Sequence, residues 1–306
     1  MEEAVFYREH SMEFPSISDS GVQLPIRPLA LAFDLDGTLL DYDGHMSDSV
    51  ARAVRLISRG GIKVFIVTGR LQAGAERYWE ELELDTPIAG CNGGYIGLPG
   101  QKPIRHIRLS EKARKIILDF DTGQDLFVNY AIDNAIFCLH DSPERDYYSR
   151  AYSLVTLASG VEDILERPLP TKCLCITPEA DQPHVLEMFR AALAGEAEIT
   201  TSNNRFIEIM PPGVDKGTAI ETLAEWSGFP VEGFIAVGDA MNDLPMLRKA
   251  GFAISFKSGD PRMADEVDML LPPLWEDGME VLAKCVLGMT GSGRFLTPRS
   301  SRFFKK

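Results

Sequence analysis

The chain has 306 residues, 45% hydrophobic and 25% charged, the balance of a soluble globular protein with room for two ordinary domains. Acidic residues outnumber basic ones 45 to 31, and the resulting net charge of -14 disfavours non-specific nucleic-acid binding, which draws on phosphate–cation attraction. No apolar run reaches the length of a transmembrane helix. The N-terminus, with Glu2, Glu3 and Glu9, lacks the basic start and apolar core of a secretory signal, so a cytoplasmic protein without a membrane span is expected.

Met1 to Arg27 has no periodicity and reads as an N-terminal extension (1–27). Leu29 to Phe33 is a short apolar run of the kind found in a buried parallel strand. A helix follows from Ser47 to Arg59, capped by Ser47 or Asp48, with Val50, Val54 and Ile57 on one face and Gly60-Gly61 as its stop. The run "IKVFIV" (62–67) is a second strand, completing a strand–helix–strand unit of a parallel α/β sheet.

From about Asn92 to Phe206 the texture changes. "DLFVNY" and "AIFCLH" flank the turn-like Ile132-Asp133-Asn134 and predict an antiparallel hairpin. "CLCIT" and "RFIEIM" add strands, and helices are expected over Ser110 to Asp121, Pro143 to Ser159 and Gln182 to Ala194. This block reads as an α+β module inserted into the α/β domain. The five cysteines are scattered in apolar contexts, and Cys173 and Cys175 share one face if on a strand; buried reduced thiols are expected.

The α/β pattern then resumes. Asp215 to Trp226 reads as a helix, "GFIAVGDA" (233–240) as a strand and "NDLPMLRKAG" (242–251) as a short helix with Pro245 in its first turn. "FAISF" (252–256) and "VDMLL" (267–271) are further strands, and 277–288 is a closing helix. Residues 289–306 carry five basic and no acidic residues and read as a flexible basic tail.

Chemistry gathers where the predicted parallel strands end, the edge at which open α/β sheets bind ligands. The first strand runs into Asp34-Leu35-Asp36-Gly37-Thr38, the second into Thr68-Gly69-Arg70, and a later one into Gly238-Asp239, followed by Asn242-Asp243. Lys216 opens a helix between them. Carboxylates, a hydroxyl and a lysine on one rim suit phosphoryl transfer. Asp34 and Asp239 offer hard oxygen ligands for Mg²⁺, whose charge offsets their mutual repulsion. Gly37 lets the chain turn and bring backbone N–H groups to an anion, Thr68 can donate a hydrogen bond, and Lys216 supplies a point charge. Asp34 and Asp36 would share a face if the strand continued through them. Asp41 and Asp43 lie beyond Gly37-Thr38 and read as a solvated turn.

On these residues the sequence resembles the haloacid dehalogenase (HAD) superfamily, in its Cof-like branch of sugar-phosphate phosphatases. "FDLDGTLL" is similar to the first motif, "IVTGR" to the second, Lys216 in "GVDKGTAI" to the third and "GDAMNDLPML" to the fourth. "CNGGYI" (91–96) resembles the entry to that branch's cap and "NRFIEIMPPGVDKG" the exit; Gly94 departs from the usual alanine. The resemblance implies a Rossmann-like HAD core with a parallel sheet (28–91 and 208–288) and an inserted α+β cap of type IIB (92–207).

It also implies roles. Asp34 would be the nucleophile that forms an aspartyl-phosphate, and Asp36 the acid and base. Mg²⁺ would be held by the Asp34 carboxylate, the Asp36 backbone carbonyl and Asp239. Thr68, Gly69, Lys216 and Asn242 would hold phosphoryl oxygens, Asp243 would support the metal waters or Lys216, and Asn92 is a candidate substrate contact. The expected activity is Mg²⁺-dependent hydrolysis of small phosphorylated metabolites, sugar phosphates foremost. A phosphomutase or phosphotransferase on the same core, and a non-catalytic regulator, are the alternatives. Oligomeric state is not legible.

Overall fold

The computed structural model describes residues 6–7, 28–41, 43–123, 126–152 and 155–288. The N-terminal extension, apart from Phe6–Tyr7, and the basic tail lie outside them. The described residues form two compact units. One draws on those within 1–66, 78–86 and 220–306, the other on those within 67–77 and 87–219.

The first unit is built on a parallel sheet with spatial order Met269–Leu271, Phe252–Phe256, Phe234–Val237, Ala30–Phe33, Lys63–Val67. Its central strands, "ALAF" and "FIAV", are buried at every position, as unbroken apolar runs must be when helices cover both faces. Phe6–Tyr7 pairs antiparallel with Met269–Leu271 at one edge. The helix Asp48–Arg59 begins at Ser47, whose Oγ accepts the Val50 N–H at 3.3 Å, and buries Val50, Val54 and Ile57 as their spacing predicts. Gly60 caps its C-terminus. Pro245 sits in the first turn of the helix Leu244–Lys249, where its missing N–H would have no intrahelical partner.

The second unit holds a six-stranded sheet of spatial order Glu198–Thr201, Phe206–Met210, Lys172–Ile176, Phe127–Ile132, Ala135–Cys138, Val155–Leu157. All neighbours are antiparallel except the last pair. The predicted hairpin turns at Asp133 (φ 46°) and Asn134 (φ 65°), consecutive left-handed residues that match the twist of the flanking strands. One sheet face is covered by the helices Glu111–Gly123 and Gln182–Ala192 through Ala113, Ile117, Val185 and Phe189. Cys173 and Cys175 point into that core, and all five cysteines are free and buried. A smaller antiparallel run, Ile88–Gly90, Tyr95–Gly97 and Arg105–His106, belongs to the same unit.

The helix expected over Pro143 to Ser159 is shorter than predicted. It ends at Ala151, and the chain then forms the strand Val155–Leu157 and the helix Val161–Glu166. β-branched Val155 and Thr156 favour the pleated edge position beside Ala135–Cys138, and Gly160 (φ 147°) sets the turn between strand and helix. The sequence predicts no helix over Gln72–Glu81, where the structure has one. Among the described residues no helix is long and apolar enough to cross a membrane.

Candidate active site

In the first unit, Asp34 directly follows Ala30–Phe33, and its N–H donates to the Val237 carbonyl at 3.0 Å. Phe33 and Val237 are paired in register, so the two strand ends, and the acidic residues after them, emerge side by side. Asp34, Asp239 and Asp243 each present a carboxylate oxygen within 4.8 Å of the others, and all three are buried. Clustered buried carboxylates repel one another. An all-oxygen donor set of this kind fits a hard divalent cation such as Mg²⁺.

Three devices hold this cluster. Thr38, fully buried, donates from Oγ1 to Asp239 Oδ1 at 3.2 Å. Asp243 Oδ2 accepts the backbone N–H groups of Asp239 and Ala240, both at 2.9 Å, so one of its oxygens fixes the loop that carries Asp239. Gly37 has φ +81°, and a Cβ there would lie 2.2 Å from Asp239 Oδ2. Only glycine permits both this backbone and this approach.

Asp36 is half-buried and its carboxylate is not part of the cluster. The expected strand continuation through Asp36 does not occur. The strand ends at Phe33, and residues 35–40 wind into a turn in which Leu39 and Leu40 donate to the Leu35 carbonyl. The turn, and not a shared strand face, separates Asp36 from Asp34. Asn242 occupies the short helical turn Met241–Asp243 and is part-exposed. Asp41 forms a local turn by accepting the N–H groups of Asp43 and His45, and both it and Asp43 are exposed.

In the second unit, Thr68 is fully buried, its Oγ1 accepts the Arg70 N–H at 3.1 Å, and its carbonyl accepts the Asn92 N–H at 2.9 Å. Lys216 opens the helix that runs to Ser227 and is 1% exposed. Asp215 and Thr218 cap that helix start reciprocally: the Asp215 carboxylate accepts the Thr218 N–H at 2.7 Å and Thr218 Oγ1 accepts the Asp215 N–H at 3.3 Å.

Asn92 sits in a run of three left-handed residues, Cys91 (φ 51°), Asn92 (φ 54°) and Gly93 (φ 98°). Its Nδ2 donates to Glu208 Oε2, and Glu208 Oε1 pairs with Lys172 Nζ at 3.1 Å. Lys172 Nζ also donates to the Gly69 carbonyl at 2.9 Å. Burial pushes the Glu208 carboxyl up, but the Lys172 charge, with hydrogen bonds from Asn92, Ser202 and Lys172, outweighs burial and holds it below the ordinary glutamate range. Beside this network, burial raises the Cys91 thiol to about 12, so the thiol stays protonated. Gly94 lies where a Cβ would meet the Thr171 methyl at 2.9 Å, which matches its departure from alanine.

The sequence left Lys172 and Glu208 unmarked. The one visible signal was a charged residue in the middle of the apolar strand "FIEIM", a position that demands a buried partner.

The haloacid dehalogenase-like hydrolase family model matches residues 31–280, and the chain belongs to that family, in its Cof-like branch. It is 28% identical over 243 residues to the Bacillus subtilis 5-amino-6-(5-phospho-D-ribitylamino)uracil phosphatase YitU, covering 76% of this chain and 88% of that one. It is 27% identical over 246 residues to the HMP-PP phosphatase of Cronobacter sakazakii, covering 78% and 88%. Among solved structures it resembles the HAD subclass IIB sugar phosphatase BT4131, with a TM-score of 0.74 at 21% identity over 85% of this chain and 99% of that one. The fold is thus an α/β HAD core with a IIB-type second sheet, and the protein is a phosphatase of the HAD type.

Proposed function

We propose that the protein is a Mg²⁺-dependent phosphatase of small phosphorylated metabolites, sugar phosphates foremost, working through an aspartyl-phosphate on Asp34. The observation that carries this reading is the buried set Asp34, Asp239 and Asp243, with carboxylate oxygens within 4.8 Å of one another beside the glycine turn at Gly37. The phosphatase names of the relatives and of the subclass IIB neighbour support the substrate class. The proposal treats 28–91 and 208–288 as the catalytic core and 92–207 as the cap.

In this reading Asp34 attacks phosphorus and the bond to the leaving oxygen breaks as Asp36 gives that oxygen its proton. Asp36, now ionised, takes a proton from water, which displaces Asp34 and releases inorganic phosphate. Keeping the Asp36 carboxyl outside the acidic cluster suits this proton traffic. Thr68, the Gly69 backbone, Lys216 and Asn242 serve the phosphoryl oxygens, and Asp243 steadies the Asp239 loop. The Asp34 and Asp239 carboxylates and the Asp36 carbonyl would hold Mg²⁺, which when bound neutralises charge on the carboxylates and the phosphoryl group.

The test is release of phosphate from a generic aryl phosphate by the purified chain. Turnover is expected with Mg²⁺, to be lost with EDTA and restored by added Mg²⁺, and to be abolished in a folded Asp34→Asn variant. Undiminished turnover by that variant would sink the assignment.

A further inference from the structure

The six-stranded sheet of the second unit has two unlike faces. Alternation along the strands sends Val128, Tyr130, Cys173, Cys175 and Ile207 into the dry core beneath the helices. The opposite face carries Phe127, Ala131, Leu174, Ile176 and Phe206. The same alternation places polar residues on it, among them Asn129, Lys172 and Glu208. Lys172 and Glu208 satisfy one another.

Asn129 does not share in that pairing. It is 3% exposed, and neither Nδ2 nor Oδ1 has a hydrogen-bond partner among the described residues. A buried amide with nothing to bond is strongly disfavoured, so a group outside the protein has reason to meet it. Its cross-strand neighbour is Leu174, which in turn lies opposite Glu208.

Asn129 lines a narrow cleft together with Gly69, Leu71, Tyr148, Lys172 and Leu174. In the phosphatase reading Gly69 serves the phosphoryl group, so in that reading a group that enters this cleft belongs to the leaving side of the ester. The walls are apolar apart from the amide, the tyrosine and Lys172, whose charge is offset by Glu208. A second phosphate would find no unpaired lysine among these lining residues. An uncharged group that both donates and accepts, as a hydroxyl does, matches an amide that offers one donor and one acceptor atom.

We propose that Asn129 is a specificity-determining residue that binds a hydroxyl of an uncharged leaving group. The cleft it lines selects phosphomonoesters of hydroxyl-rich neutral molecules over bisphosphates. This rests on the phosphatase reading.

The experiment measures kcat/KM of the full chain by phosphate release from glucose 6-phosphate, ribose 5-phosphate, sorbitol 6-phosphate, fructose 1,6-bisphosphate and phenyl phosphate, which has no hydroxyl. The wild type is expected to favour at least one of the three neutral polyol monoesters over both phenyl phosphate and the bisphosphate. In Asn129→Leu, which removes both amide atoms, that polyol-to-phenyl ratio should fall roughly tenfold, the scale of one hydrogen bond. Asn129→Asp preserves shape while removing the donor, and should lower the ratio too; it keeps the test open if the leucine variant does not fold.

An unchanged ratio in the folded variants overturns the proposal. So does a wild type that prefers the bisphosphate or turns over no polyol monoester. Both results leave the phosphatase reading standing if phenyl phosphate is hydrolysed. Failure to hydrolyse any of the five esters overturns that reading and this inference together.

Discussion

Asp243 accepts the backbone N–H of Asp239 through Oδ2 at 2.9 Å, and with the same oxygen the N–H of Ala240. The residue four positions after Asp239 therefore holds the loop that aims Asp239 at Asp34. A charge-assisted pair of this kind at a buried site is stronger than two neutral bonds. Asp243→Ala releases the loop while leaving Asp34 in place. We expect the Mg²⁺ concentration for half-maximal phosphatase activity to rise about 10- to 100-fold, as for lost supporting contacts in other metal sites. A titration of activity against Mg²⁺ checks this; an unchanged midpoint would remove Asp243 from the supporting role.

Gly37 makes the sharper steric case. A methyl there would lie 2.2 Å from Asp239 Oδ2 on a backbone with φ +81°. Gly37→Ala must displace the carboxylate or the turn. Turnover should drop at least roughly 100-fold, the scale expected when a reacting centre is displaced by about 1 Å. Circular dichroism and steady-state rates on the same preparation separate this from unfolding.

Lys172 and Glu208 are 3.1 Å apart and both nearly fully buried. Removing one partner strands the other charge in a low-dielectric interior. Glu208→Leu or Lys172→Met alone should destabilise the protein by about 3–5 kcal/mol, and the double variant by clearly less than their sum. Urea unfolding of the three variants measures the coupling.

Asp121 is fully buried, accepts from Tyr130 Oη at 2.8 Å, and faces His140 at 3.4 Å. Burial raises its carboxyl from 3.8 to about 6, against the opposing effects of Tyr130 and His140. The folded state then binds more protons than the unfolded state between those values, so its contribution to stability is complete below about pH 4 and is lost as pH rises to about 6. A carboxyl that burial holds neutral links proton binding to folding in this direction. Asp121→Asn should flatten this slope, which melting temperatures of both proteins at pH 4, 5 and 6.5 would reveal.

Much of the candidate site is legible in the sequence because its residues follow local signals. "FDLDGT" and "VGDA" each place an aspartate where an apolar run ends, and a parallel strand must end there. Cys173 and Cys175 were assignable to one face by the period of two alone. The helix over Pro143 to Ser159 failed for the complementary reason. The residues from Val155 onward lie against Ala135–Cys138, and that edge position, not local helix propensity, decides their conformation.

By itself, the sequence determined which residues stand at strand ends and helix starts, and hence the family and its set of acidic, hydroxyl and lysine groups. Those signals act over a few residues, through side-chain period, capping and glycine turns. Only the tertiary structure decided that Thr38 meets Asp239 across 201 positions, that Asn92 and Lys172 share Glu208, and that Asn129 is buried with its amide unbonded among the described residues. Those relations are set by sheet register, which brings together residues whose distance along the chain carries no trace of their distance in space.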